Sequence, residues 1–497
     1  MAFRFVLAAG AVAAALVSLP AVAQVPPSLE QKVRNLRSDL TAKGYEVARG
    51  QWHLFTIDDC RFAIASMGFC MGNNPAAPYV ISTVPHWDDE FSDEHLKDLL
   101  GPAGDEWWTY RLGEREALVV MGVLPPPGAY FSLITYAFTR QGAPDTSQPL
   151  YQALTEPFMR SMVFLTSPNP SRALVFSSLS DSNNNVVIEQ QSGAAFGQER
   201  FFVITPDAGL ERDLTGALLR AGVADRNQVF AERISPEIAR IGPDSEADDF
   251  MSVIRYAEPK DEAAGGQWRR QLPLVVLRVR DTNAARPAEP YPAPAREERM
   301  GNSELALASD VEKLAQAVKE SWGQSSAAKG TFQSLLSTID LLGEHCLQRT
   351  RDCLGDNSDA DYQISPTGSL DAGQVLAVAG TLGTVTGNAT YVSLSVNWIP
   401  PLQGVLNISE KELQGTAAAF GKDIGSADKL YVHYFARDCS GLESCSEVTE
   451  QMVPRGGSLK IVQRNYVVPG NARGADPRRV VNPVLIVLDG ASRPKGR

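Results

Sequence analysis

The stretch Pro85–Phe91, PHWDDEF, sets His86 beside Asp88, Asp89 and Glu90, and DEWWTY further along adds Asp105 and Glu106 next to two tryptophans. A histidine among carboxylates can move a proton near neutral pH, paired carboxylates can act as acid and base, and an indole can stack on a sugar ring. These six residues are the catalytic candidates, for hydrolysis of a sugar or an ester. The same pattern also suits a solvated loop whose acids lead into a short helix over FSDEHLKDLL.

A second group has metal-ligand character. CLGDNSDADY, Cys353 to Tyr362, spaces Asp356, Asp359 and Asp361 as calcium would accept them, without the central Gly and distal Glu of a calcium loop. The same decapeptide occurs earlier as CMGNNPAAPY, Cys70 to Tyr79, where Ala76 and Pro78 stand in place of Asp359 and Asp361. Cys, Gly, Asn, Ala and Tyr are shared. Gly and Asn tolerate turn geometry and Tyr can bury a ring while its hydroxyl finds a partner, so a scaffolding role is expected and no metal.

Other chemistry lacks its signature. No G-x-S-x-G, H-E-x-x-H or P-loop pattern occurs, and no cofactor is expected. A net charge of −12 with interspersed signs disfavours nucleic acid. The opening FVLAAGAVAAALVSLP, closed by Ala21-Val22-Ala23, predicts a signal peptide over residues 1–23. No later run is apolar for long enough to span a bilayer, and the expected location is secreted or periplasmic. Six cysteines in three close pairs, Cys60/Cys70, Cys346/Cys353 and Cys439/Cys445, then predict local disulfides.

The elements that position these groups repeat. Ser28 to Gln31 and Ser309 to Glu312 resemble capping boxes, each opening an amphipathic helix: Leu29, Val33, Leu36 and Leu40 in the first, Val311, Leu314, Val318 and Trp322 in the second. Ala117–Phe138 and Val375–Trp398 share Val-x-Gly followed by Tyr-x-Ser-Leu, and each is expected to form a hairpin. ERFFVITPDAGL matches KLYVHYFARDCSGL, and LPLVVLRVRD matches NPVLIVLDG. In the first half, Asp207 caps a helix followed by the strand VFAERI, a β-α-β insertion. SDSNNNVV reads as a polar turn between strands.

The expected fold is α+β, predominantly β: two related β-sandwich-like domains from tandem duplication, each preceded by its helix. The first spans residues 24–282, a Pro/Ala-rich linker 283–302, and the second 303–497. Tyr130–Tyr136, YFSLITY, resembles a strand of a widespread, functionally uncharacterised bacterial envelope family with the pattern F-W-S-L-T-x-Y, departing from it at Phe131 and Ile134. NPSRALVFSSLSDSNNNVVIEQQSG is similar to the adjoining segment of that family, a pair of strands joined by a polar turn. The resemblance covers about Trp107 to Asp207, implies a jelly-roll-type β-sandwich, and lends no catalytic residue. The reading is a non-catalytic binding or envelope-associated protein with a glycan or envelope ligand; the alternative is a secreted hydrolase using the acidic/His site.

Overall fold

The structure, a computed structural model, describes residues 25–283 and 285–492; the expected signal peptide lies outside them. The chain is mixed α/β with more strand than helix. Its first half contains β1 (Tyr45–Phe55), β2 (Tyr79–Thr83), β3 (Glu116–Val123), β4 (Gly128–Gln141), β5 (Arg172–Ser178), β6 (Asn183–Asn184), β7 (Glu199–Thr205), β8 (Val229–Arg233), β9 (Asp249–Pro259) and β10 (Leu274–Asp281). The second contains β11 (Lys329–Thr331), β12 (Gln333–Ser334), β13 (Ala360–Ile364), β14 (Gly368–Ser369), β15 (Gln374–Thr381), β16 (Tyr391–Ile399), β17 (Gln403–Ser409), β18 (Leu430–Ala436), β19 (Cys445–Glu447), β20 (Ser458–Tyr466) and β21 (Val484–Asp489).

In the first half the path β5-β4-β9-β2-β1-β10-β3-β7-β8 folds over at β1. Tyr45 to Gly50 pair with β10, and Gln51 to Phe55 pair with β2. Gly50 marks the passage, since a Cβ there would meet the Thr83 carbonyl oxygen at 2.1 Å. The two arms form an outer sheet (β1-β10-β3-β7-β8) and an inner sheet (β5-β4-β9-β2-β1). The second half has an outer sheet, β11-β21-β15-β18-β19, and an inner sheet, β12-β13-β20-β16-β17, with β14 also on β20.

Period-two alternation sorts the side chains. In β10, Val275, Leu277 and Val279 join the helix residues Leu29, Val33 and Leu36 in one cluster, while Leu274 and Val276 join Phe131 and Leu133 of the inner sheet in another. The second half repeats the division: Val375 and Ala377 pack with Val311 and Leu314, and Leu376 and Val378 pack with Leu394 and Val396.

Several expectations are corrected here. The segment 117–138 is not a hairpin: β3 pairs with β10 and β7, whereas β4 pairs with β9, β5 and β6, so the Pro-rich connection carries the chain from one sheet to the other. The same holds for β15 and β16. The capping boxes are not formed; the first helix, Pro27–Ala42, starts on a proline pre-set for that position, and Ala308–Ser321 continues a 3-10 turn. The run 92–100 forms turns instead of a helix. SDSNNNVV is not a turn between strands, since Asn184 caps the helix Asn185–Ser192 through bonds from the backbone N–H groups of Val186 and Val187. Asp207 does cap the helix Ala208–Arg220, and β7 and β8 on either side of it are parallel.

The stretch after Asn283 is extended but tied down at both ends. Tyr291 donates to Glu211, Arg296 donates to Glu344 at 3.1 Å and to the Ser178 carbonyl at 3.1 Å, and Arg299 donates to the Ala360 carbonyl at 3.1 Å. All three cysteine pairs are disulfides, with Cα separations of 5.1, 5.6 and 5.7 Å. No helix among the described residues is long and apolar enough to cross a membrane.

Candidate functional site

The two copies of the decapeptide meet at the seam between the halves, each seated on the other half's inner sheet. The Cys353 and Gly355 N–H groups donate to the Val175 and Phe176 carbonyls of β5, and the Cys70 N–H donates to the Pro401 carbonyl beside β17. One position further along, the two copies again act alike. Asp356 accepts from the Ser178 N–H at 2.7 Å and its hydroxyl at 2.6 Å, and Asn73 accepts from the Gly404 N–H at 2.8 Å. Asn357 donates to the Tyr130 hydroxyl at 2.8 Å, and Asn74 reaches the Tyr391 hydroxyl at 3.5 Å. Asp359 has no counterpart: fully buried, it accepts from Tyr130, Ser182 and Asn184 of the first half.

The calcium candidates are thus each engaged separately, Asp361 with the Ser334 hydroxyl at 2.8 Å. Burial raises the pKa of all three carboxyls, Asp361 to about 6. Among the described residues no group of three or more His, Cys, Asp or Glu is placed to hold a metal ion. The asparagines of SDSNNNVV, Asn183 to Asn185, are also buried and do not form an open loop, and Asn184 reaches across the seam to Asp359 and the Ala472 carbonyl.

Between the two turns lies a cavity of about 70 Å³, walled by both halves. Gly72, Asn74 and Tyr79 come from the first turn, and Leu354, Gly355 and Tyr362 from the second. Two arginines line it from the inner sheets. Arg255 of β9 sits in a rung between Tyr79 and Ser132, and Arg464 of β20 sits in a rung between Tyr362 and Ser393. The rungs are Tyr-Arg-Ser in both halves. Arg255 and Arg464 are only 2% and 4% exposed.

A buried guanidinium normally has a carboxylate. Among the described residues neither of these has one. Arg464 donates to the Ser395 hydroxyl and, at 3.4 Å, to the Gly72 carbonyl. Arg255 lies over the rings of Tyr79 and Tyr136, at 4.9 and 5.5 Å, and its Nη1 has no hydrogen-bond partner. Both cations act on the Tyr466 hydroxyl, whose pKa burial raises while Arg464 and Arg255 pull it down. The rest of the wall is apolar, with Phe158, Met159 and Met162 from the helix Pro157–Val163 and Leu335, Leu341, Ile364 and Val462 opposite.

The catalytic candidates lie elsewhere and are divided among different partners. His86 stacks on Trp107 at 4.2 Å, with Nδ1 3.0 Å from the Ser92 hydroxyl and Nε2 3.1 Å from the Thr109 carbonyl. Burial, opposed by Glu90, lowers its pKa. Glu90 is buried and accepts from the Arg111 N–H at 2.7 Å and from Arg278 at 2.5 Å. Asp89 pairs with Arg280 at 2.6 Å, Glu106 accepts from Gln51 at 3.1 Å and from Thr83, and Asp88 and Asp105 are exposed. Only His86 and Glu90, 3.8 Å apart, are brought together.

Sequence reasoning found the turns that wall the cavity but missed Arg255 and Arg464. IRYA and QRNY share only the arginine at the paired position, so the signal emerges only from register. No protein-family description and no curated protein matches this chain. It is similar to the crystal structure of an uncharacterized protein from Burkholderia cenocepacia, at 13% identity and TM-score 0.40, over 94% of this chain and 88% of that one.

Proposed function

We propose that this is a secreted or periplasmic, non-catalytic binding protein, built by tandem duplication of a β-sandwich-like domain, with its ligand seat in the seam cavity. Three disulfides support an oxidising location. The duplication is supported by topology: β1-β10-β3-β7-β8 and β11-β21-β15-β18-β19 run in step, as do β1-β2-β9-β4-β5 and β12-β13-β20-β16-β17. The last pair of each outer sheet, β7/β8 and β18/β19, is parallel. On this reading the domains are those expected from sequence, divided at the Pro/Ala-rich stretch.

The observation that carries the binding role is the walled cavity with the unpartnered Arg255 Nη1. Among the described residues other buried polar atoms also lack partners, but Arg255 and Arg464 are two cations without carboxylates lining one cavity, and that pairing points to something that enters. The test is a thermal-shift and calorimetric screen of the mature chain against small neutral, cationic and anionic amphiphiles, with Met162→Trp filling the cavity. At least one class should stabilise the wild type and leave the filled variant unmoved; silence from every class refutes the seat.

The second reading, a hydrolase, rests on the 3.0 Å approach of Ser92 Oγ to His86 Nδ1. It predicts covalent labelling of Ser92 by a fluorophosphonate and loss of labelling in His86→Ala. An unlabelled Ser92 removes it.

A further inference from the structure

We propose that the seam cavity receives an oxyanion, a carboxylate or a phosphate monoester, carried on a slender apolar tail. This inference rests on the seam being a ligand seat and names what occupies it. Arg255 is buried without a carboxylate, and its Nη1 is a charged donor with no acceptor. Leaving such a group unmatched is costly, and an oxyanion is the acceptor that matches a guanidinium in both charge and geometry. Arg464 reinforces the choice, since it acts on the same Tyr466 hydroxyl and lines the same cavity. A cationic ligand would meet two guanidiniums in a low-dielectric site, and a neutral one would leave Nη1 unsatisfied in charge.

The tail is set by the remaining wall. Phe158, Met159, Met162, Leu341 and Val462 offer no hydrogen bonds and favour methylene groups. The cavity, about 70 Å³, is about half the roughly 150 Å³ that holds a benzene ring. A head group alone about fills it. Met159, Leu335 and Ile364 also line an adjoining hollow of about 410 Å³ between Leu154, Thr331 and Lys460, into which a longer chain would run. Asn397 separates the two possible heads. Its Oδ1 is buried and lacks a donor, which the hydroxyl of a phosphate monoanion would supply and a carboxylate would not.

The test is titration calorimetry on the mature chain with hexanoate, hexyl phosphate, hexanol and hexylammonium. At least one of the two anions should bind at least tenfold more tightly than hexanol, with hexyl phosphate ahead if Asn397 contributes. Arg255→Met should lower anion affinity at least tenfold while leaving the unliganded midpoint unchanged or higher, because an unmatched buried charge has been removed. Arg464→Met provides a second variant, with a loss of at least threefold. Equal binding of hexanol and the anions, or unchanged anion affinity in Arg255→Met, overturns the oxyanion while leaving the seat. If no probe of any charge binds, both proposals fall.

Discussion

Asp359 is a fully buried point at which one half grips the other, and its removal is a quantitative test of the seam. Its carboxylate is 0% exposed and accepts from Ser182 at 2.6 and 2.7 Å, Tyr130 at 2.7 Å and Asn184 at 3.1 Å. Truncation to alanine leaves the Ser182 hydroxyl and one Asn184 N–H without their acceptor, at about 1–3 kcal/mol for each group left buried and unmatched, while the Tyr130 hydroxyl can turn to Ser132 at 2.8 Å. The gain from no longer desolvating a carboxylate offsets part of this, since burial already raises the Asp359 pKa against the pull of its donors. The net expectation is a loss of about 2–4 kcal/mol, two unmatched groups less that offset. Asp359→Asn keeps an acceptor without the charge and should lose less than half as much. The assay is urea unfolding followed by tyrosine and tryptophan fluorescence, with Glu450→Ala, in an exposed pair with Arg455, as the control within about 0.5 kcal/mol. The wild type should unfold in one transition and Asp359→Ala at lower urea, with the halves separating into two steps. A loss under about 0.5 kcal/mol, comparable to an ordinary surface substitution, would refute the reasoning that this carboxylate holds the halves together.

Further expectations concern the same region. Burial pushes the Asp352 carboxyl up to about 8, with Oδ2 unpartnered, so the folded chain keeps a proton that the unfolded chain releases near pH 3.8. Stability from this group is full below about pH 4 and is lost as pH rises towards 8; Asp352→Asn should flatten the fall in urea midpoint between pH 5 and pH 9. Replacing Cys346 and Cys353 by alanine opens a loop of separation 7 and should lower stability by about 2–3 kcal/mol on the loop-entropy model, read as a shift in urea midpoint. Gly343→Ala would place a Cβ 2.0 Å from the Ser178 carbonyl oxygen, so the turn must move; a loss above about 2 kcal/mol and faster proteolysis are expected.

Much of the fold was legible because it depends on local pattern. The helix stripes Leu29-Val33-Leu36-Leu40 and Val311-Leu314-Val318 lie buried on their sheets, and the cysteines pair at short range. Pairing was the part that failed. Val-x-Gly and Tyr-x-Ser-Leu are good strands in close succession, but adjacency could not show that one faces helices and the other faces the opposite half. The Asn run misled for a related reason: asparagine favours turns and helix caps alike, and only contact with Asp359 and the Ala472 carbonyl shows why Asn184 is buried. The candidate site was half visible. Its turns repeat as a motif, whereas its arginines lie in strands whose neighbours differ.

The reciprocal seating of the turns bears on how the chain matures. The hydrogen bond from Tyr130 to Asp359 spans 229 residues, and that from Gly404 to Asn73 spans 331. During synthesis the leading part therefore emerges with Ser178, Asn184 and Tyr130 uncovered, and must wait for the trailing part before its polar face is sealed. A chaperone that shields this face in the interval would act on the first half, not the second.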